Sequence, residues 1–149
     1  MSTRLVKRRI RGLRSERGAA LVEFALVVPL LMMIMCATID FGLAVYTLNN
    51  LTAAVREGGR YGATLYPAPT ANDTAVSNRV YNYIVGMNNG LTATQTRALI
   101  TSTAPDAAGN ITVSITGYPY RPVTPLANLI GLSTISLNRT AIFRHERSS

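Results

Sequence analysis

The sequence predicts an α+β protein: a single N-terminal transmembrane helix, extended into a long amphipathic helix, packed on a small antiparallel sheet. Three observations predict it. Residues Phe24 to Ile39 form a run of sixteen without a charge. From Phe41 the apolar residues recur in steps of three and four, the spacing of one helix face. Beyond Leu65 the chain turns polar, prolines punctuate it, and Ile111–Thr116 and Thr134–Phe143 alternate as half-buried strands do.

Residues 1–18 read as a basic cytoplasmic leader without a periodic apolar face, ended by Gly18. A membrane helix is expected over 19–39. Its 21 residues are interrupted only by Glu23, and at about 1.5 Å per residue they span roughly 31 Å, close to the hydrocarbon thickness of a bilayer. Pro29 inside it removes one donor and frees the carbonyl of Ala25, which fits a mild kink; proline is also simply commoner in membrane helices. The helix is expected to continue over 40–65. Phe41, Val45, Leu48, Leu51 or Thr52, Val55, Gly59 and Gly62 lie on one line, and Pro67 and Pro69 stop it. From Ala19 to Leu65 such a helix would measure roughly 70 Å. That exceeds a bilayer, so its second half should pack on the domain that follows.

Residues 66–149 are expected to form that small α+β domain, on the far side of the membrane. Tyr66–Asn72 is a loop. Asp73 is placed to cap a short helix with Val76, Val80, Tyr83 or Ile84, and Met87 along one stripe, ended by Asn88-Asn89-Gly90. Thr96–Thr103 is a strand candidate, and Pro105–Asn110 has turn chemistry. Ile111, Val113 and Ile115 share one face of the best strand. Tyr118–Pro125, with three prolines, reads as a crossing loop and not a central strand. It leads to a short apolar helix or turn near Leu126–Leu132. The last strand places Ile135, Leu137, Ala141 and Phe143 on one face, and Arg139 on that face suggests an edge position.

The 149 residues suffice for one membrane helix and one small domain. The net charge of +8 is unevenly spread. Arg4, Lys7, Arg8, Arg9, Arg11, Arg14 and Arg17 face only Glu16 within the first 18 residues. A basic block directly before an apolar helix marks the cytoplasmic side of a membrane protein better than a nucleic-acid surface. Cys36 is the only cysteine, which excludes an intramolecular disulfide. Together with His145, placed in a polar tail, it makes no metal site. No nucleophile motif or acid cluster is present. Neither an enzyme, a cofactor, a nucleic-acid partner nor a small-molecule substrate is therefore expected. The apolar run is long for a cleaved secretory signal, and Cys36-Ala37-Thr38-Ile39 is a poor cut site. Cleavage on the basic side remains open.

Glu23 is the residue to explain, because a carboxylate deep in hydrocarbon costs several kcal/mol unless paired or protonated. It either snorkels to the headgroups, or meets a charge. If the chain is cut after Gly18, Ala19 becomes the first residue and its ammonium lies one helical turn from Glu23. In a stack of staggered parallel helices, Glu23 of one subunit would then meet a neighbour's amine. At about 4 Å and an effective dielectric near 20 the attraction is on the order of 4 kcal/mol before desolvation.

Gly18, Ala19, Glu23 and Phe24, behind a basic leader and ahead of an apolar helix, resemble the class III signal sequence of type IV pilin-like proteins. The run Arg17-Gly-Ala-Ala-Leu-Val-Glu-Phe-Ala-Leu-Val-Val-Pro-Leu-Leu resembles the TadE-like pseudopilins of tight-adherence (Flp) pilus systems. Asp40-Phe-Gly-Leu-Ala is similar to the motif at that family's helix exit. Ala53-Ala-Val-Arg-Glu-Gly-Gly-Arg-Tyr-Gly is similar to its distal signature, with Gly59 in place of the usual alanine. The resemblance implies a pilin-like fold and a non-enzymatic role as a minor pseudopilin. It implies cutting between Gly18 and Ala19 by a prepilin peptidase, and recognition through Glu23 and Phe24. The implied partners are that peptidase, other pilins or pseudopilins, and inner-membrane assembly proteins. The implied location is the bacterial inner membrane, single-pass, with the C-terminal domain periplasmic. Phe24 stands where the major pilin usually has tyrosine, which argues for a minor component. Asp40, Arg56, Glu57 and Arg60 are candidate partner contacts, although Asp40 also suits the membrane surface and the other three suit local ion pairs. An uncleaved membrane-anchored accessory of an envelope secretion system is the alternative.

Overall fold

The computed structural model describes residues 10–87, 90–129, 131 and 133–145. Its elements are α1 (Ile10–Ala63), α2 (Thr74–Ile84), α3 (Ala93–Ala98), β1 (Ile100–Ser102), β2 (Asn110–Tyr120), α4 (Pro125–Leu129) and β3 (Ile135–Arg144). The chain divides into two compact units, Met1–Ile39 and Asp40–Ser149, and α1 contributes to both.

In the first unit α1 already begins at Ile10, ahead of the expected helix start at residue 19. Gly18 sits inside the helix, where its missing side chain leaves open space and no break. The flanking arginines and leucine are good helix formers, and one glycine costs only about 1 kcal/mol against alanine. The leader residues 1–9 lie outside the described residues. From Leu21 to Ile39 large apolar side chains are exposed all round the helix, as at Leu21, Leu26, Leu30 and Ile34. A helix that is apolar on every side and uncovered by protein suits lipid. It is long and apolar enough to cross a membrane once.

The second unit is a three-stranded antiparallel sheet in the order β1-β2-β3, with residues 40–63 of α1 packed on it. This is the α+β arrangement expected. The packed line on α1 is Ala44, Leu48, Leu51, Val55, Gly58 and Gly62, spaced by four and three residues. Phe41 and Val45, expected on that line, are instead exposed; Val45 lies about 100° round the helix from it, and Phe41 about 60° from its centre in the first turn of the unit. Helix α2 supplies Val76, Val80 and Ile84, all buried, and Asp73 caps it by accepting from Ala75 N at 2.8 Å. It ends at Ile84, ahead of the expected stop. Asn88 and Asn89 of that stop lie outside the described residues. The core is completed by Ile111, Val113, Ile115 and Tyr118 of β2. Each such aliphatic side chain contributes about 1.5–3 kcal/mol on burial.

Glycine in α1 sets how closely these layers approach. A Cβ on Gly58 would fall 2.3 Å from Val80 Cγ2, and one on Gly59 would fall 2.2 Å from the Phe143 ring. The absence of a side chain at Gly59 thus gives Phe143 its place.

Two expectations about the sheet are corrected. Thr96–Thr103 is not one strand: Ala93–Ala98 is helical and only Ile100–Ser102 pairs. Thr92 and Gln95 form a reciprocal capping box that favours the helix. Tyr118–Tyr120 is not loop but the end of the central strand, with Pro119 opposite Ser136. This is tolerated because β1 pairs only with residues 113–115, so Pro119 has a single neighbouring strand. Between Ile115 and Tyr118 the register slips by one residue. Gly117 takes the left-handed conformation there (φ 75°) and donates to Asn138 Oδ1. The bulge returns Tyr118 and Tyr120 to the inner face that Ile111, Val113 and Ile115 occupy. Strand β3 is an edge strand, as Arg139 suggested. Of the crossing segment, α4 starts at Pro125, where a missing donor costs nothing; Ile130 and Leu132 lie outside the described residues. His145 is not in a loose tail: its ring lies 3.0 Å from the carbonyl of Leu65, and its backbone N donates to Gly109.

Candidate functional site

The residues singled out fall into two groups, one in each unit. Gly18, Ala19, Glu23 and Phe24 lie along the first unit's helix, all exposed. Residues four apart on a helix share a face, so Ala19 and Glu23 lie one above the other. Phe24 stands next to them and is 68% exposed. These positions together offer a small residue, a carboxylate and an aromatic ring, exposed among the described residues.

In the second unit Asp40 is tied into its own domain. One carboxylate oxygen accepts from Val123 N at 2.9 Å and Thr124 N at 3.1 Å, and the other accepts from the Thr124 hydroxyl. The Asp40 carbonyl accepts from the Tyr120 hydroxyl at 2.8 Å. Burial opposes the charge, but the Thr124 hydroxyl and amide and the Val123 amide outweigh it and hold the carboxyl below its ordinary range. The loop 121–124 thus closes onto the first turn of the unit's helix. No sequence signal marked this pairing, because its members lie more than eighty positions apart.

Glu57 forms a bidentate pair with Arg60 (3.0 and 3.1 Å) and also accepts from Arg79 at 2.6 Å. Hydrogen bonds from Arg60 and then Arg79 hold its pKa down to about 2. Arg79, on α2, also lies over the ring of Tyr61. The pair with Arg60 was expected from spacing; the tie to α2 was not. Arg56 is exposed and has no ion-pair partner among the described residues. Asp40, Glu57 and Arg60 thus each make contacts within the unit, and Arg56 is exposed.

A cleft of about 460 Å³ opens beside the Asp40 loop, lined by Tyr46, Asn50, Tyr83, Met87, Pro119 and Arg121 among others. It holds no acid or histidine. Among the described residues no three His, Cys, Asp or Glu side chains gather as metal ligands.

Residues 18–60 match the family model of TadE-like proteins. The matched segment begins at Gly18 and includes Glu23, Asp40 and the Glu57–Arg60 pair. No curated protein and no solved structure matches the chain.

Proposed function

We propose that this chain, whose residues 18–60 match the family model of TadE-like proteins, is a minor pseudopilin that helps assemble a Tad pilus. In this reading a prepilin peptidase cuts between Gly18 and Ala19. Residues 19–39 hold the chain in the bacterial inner membrane, with the leader cytoplasmic and the second unit periplasmic. The mature Ala19 amine and Glu23 then form the surface that registers this helix against those of other pilins or pseudopilins, with Phe24 beside them. Arg56 is assigned a partner contact, since its charge is not spent within the unit.

One observation carries the reading: a carboxylate at Glu23, four residues from Ala19, stands exposed at the head of an apolar helix inside the matched segment. A charge that served only to mark the membrane edge would need no fixed distance from a cut site. The cut itself asks for a local opening of α1, and glycine at position 18 lowers its cost, because glycine in a helix interior is about 1 kcal/mol less favourable than alanine.

The test is Glu23→Val in cells that make the pilus. Membrane insertion should persist, read as resistance to alkaline carbonate, while piliation falls several-fold. Unchanged piliation and processing would reduce Glu23 to an interfacial residue and remove the assembly surface.

A further inference from the structure

We propose that the segment from Arg121 to Leu129 is a second membrane contact, a foot resting in an anionic headgroup layer where α1 leaves the hydrocarbon. The proposal rests on the reading of residues 19–39 as the membrane span. Its observations come from the second unit. Asp40 is the residue bonded to Ile39, and it holds Tyr120, Val123 and Thr124 by four hydrogen bonds. The loop is thereby fixed to the first turn beyond the span. A headgroup layer is about 5–8 Å thick on each side of the hydrocarbon, and a helix rises about 1.5 Å per residue. Asp40 directly follows the span, so whatever is fastened to Asp40 lies at that layer.

What the loop presents fits lipid. Val123 is 73% and Leu129 76% exposed, which leaves two aliphatic side chains free to enter lipid. Phe41 and Tyr46 are exposed on the adjoining turns of α1. Arg121 is exposed and has no acidic partner among the described residues. No aspartate or glutamate occurs between residues 107 and 145. Aliphatic side chains beside an arginine and interfacial aromatics bind a membrane surface by apolar burial together with attraction to anionic headgroups. The uses of the two ends of the span then differ: the leader's charges set orientation, whereas the foot fixes how the second unit stands on the bilayer.

The chain contains no tryptophan, so V123W, L129W and Y66W each introduce a single reporter. Tyr66 is also exposed but follows the far end of α1, roughly 35 Å of helix beyond Asp40. The full-length variants are placed in vesicles of phosphatidylcholine and phosphatidylglycerol that contain lipid brominated near the headgroup. Quenching at V123W or L129W should be several-fold stronger than at Y66W. It should fall when R121Q is added or phosphatidylglycerol is omitted. Equal quenching at all three positions in membrane-integrated protein overturns the foot. Quenching indifferent to R121Q and to lipid charge overturns its anionic component. Burial of the reporters that follows protein density and not brominated lipid assigns the patch to a second copy and overturns the lipid assignment. A chain stripped from the vesicles by alkaline carbonate overturns the membrane span beneath the proposal, and the foot with it.

Discussion

At Gly58 the helix α1 meets α2 and β2 with no room for a methyl group. A Cβ there would lie 2.3 Å from Val80 Cγ2 and 3.6 Å from Val113 Cγ1. Val80 is fully buried and, being branched at Cβ, has little freedom to turn aside. Overpacking of this kind costs about 1–3 kcal/mol, and so deep an overlap belongs at the upper end. Alanine gives back about 1 kcal/mol of helix propensity. G58A should therefore destabilise the second unit by about 2 kcal/mol net. Gly62 provides the contrast, since a Cβ there would meet Val76 at 3.3 Å and Ile111 only at 3.9 Å. Strain and propensity nearly cancel, and G62A should stay within about 0.5 kcal/mol of the native chain. The assay is denaturant unfolding of the full chain in detergent micelles, followed by tyrosine near-ultraviolet dichroism. All seven tyrosines lie between residues 46 and 120, so the signal reports on the second unit alone. V80A in the G58A background makes room for the methyl group, so the pair should cost less than the sum by about 1 kcal/mol or more. G58A as stable as G62A, or strict additivity with V80A, would refute the close approach.

Removing the Asp40 carboxylate should free the 121–124 loop without opening the core. D40A strips the acceptor from Val123 N, Thr124 N and the Thr124 hydroxyl, a local loss of about 1–2 kcal/mol for a half-exposed charged acceptor. Hydrogen exchange at Val123 and Thr124 should accelerate roughly 5–30-fold, with the Ile111–Ile115 amides unchanged; uniform acceleration would contradict the local role. Acid should loosen the same unit from the helix side. Glu57 has its pKa lowered from 4.5 to about 2. Its contribution is therefore complete above pH 4.5 and lost as pH falls through about 2. Asp40, also lowered from 3.8, acts with the same sign. E57Q should flatten the acid limb of stability, and by only a small amount, because Arg60 and Arg79 are solvent-screened. An E57Q chain with an unaltered acid limb would remove Glu57 from that role.

Much of this architecture could be read from local pattern. The uncharged run 24–39, the cap at Asp73 with Val76, Val80 and Ile84 behind it, and the alternation at 111–116 each encode an element within a few residues. What escaped was of two kinds. Some signals were local: Thr92 and Gln95 spell a capping box, although a strand was expected over Thr96–Thr103. Pro119 argued against a central strand, but a central strand is central only where both neighbours pair, and β1 is three residues long. The remainder is non-local. The partner of Asp40 lies at Thr124, that of Glu57 at Arg79 and that of His145 at Leu65, and no periodicity connects such positions. Gly59 and Gly62 were legible as part of the helix line, while the side chains that Gly58 and Gly59 admit, Val80 and Phe143, were not. Within the candidate site, the spacing of Gly18, Ala19 and Glu23 was wholly a property of the sequence, and the structure adds their exposure on one helix.

In the proposed reading a cut after Gly18 turns a membrane anchor into an assembly surface, and the mass of the protein in its own membrane tests that cut most directly. Protein extracted from cells with an active prepilin peptidase should have the mass of a chain beginning at Ala19. That species should disappear with Gly18→Ala or on loss of the peptidase. A full-length mass persisting beside an active peptidase would contradict processing, and with it the pairing of Glu23 with a neighbour's Ala19 amine.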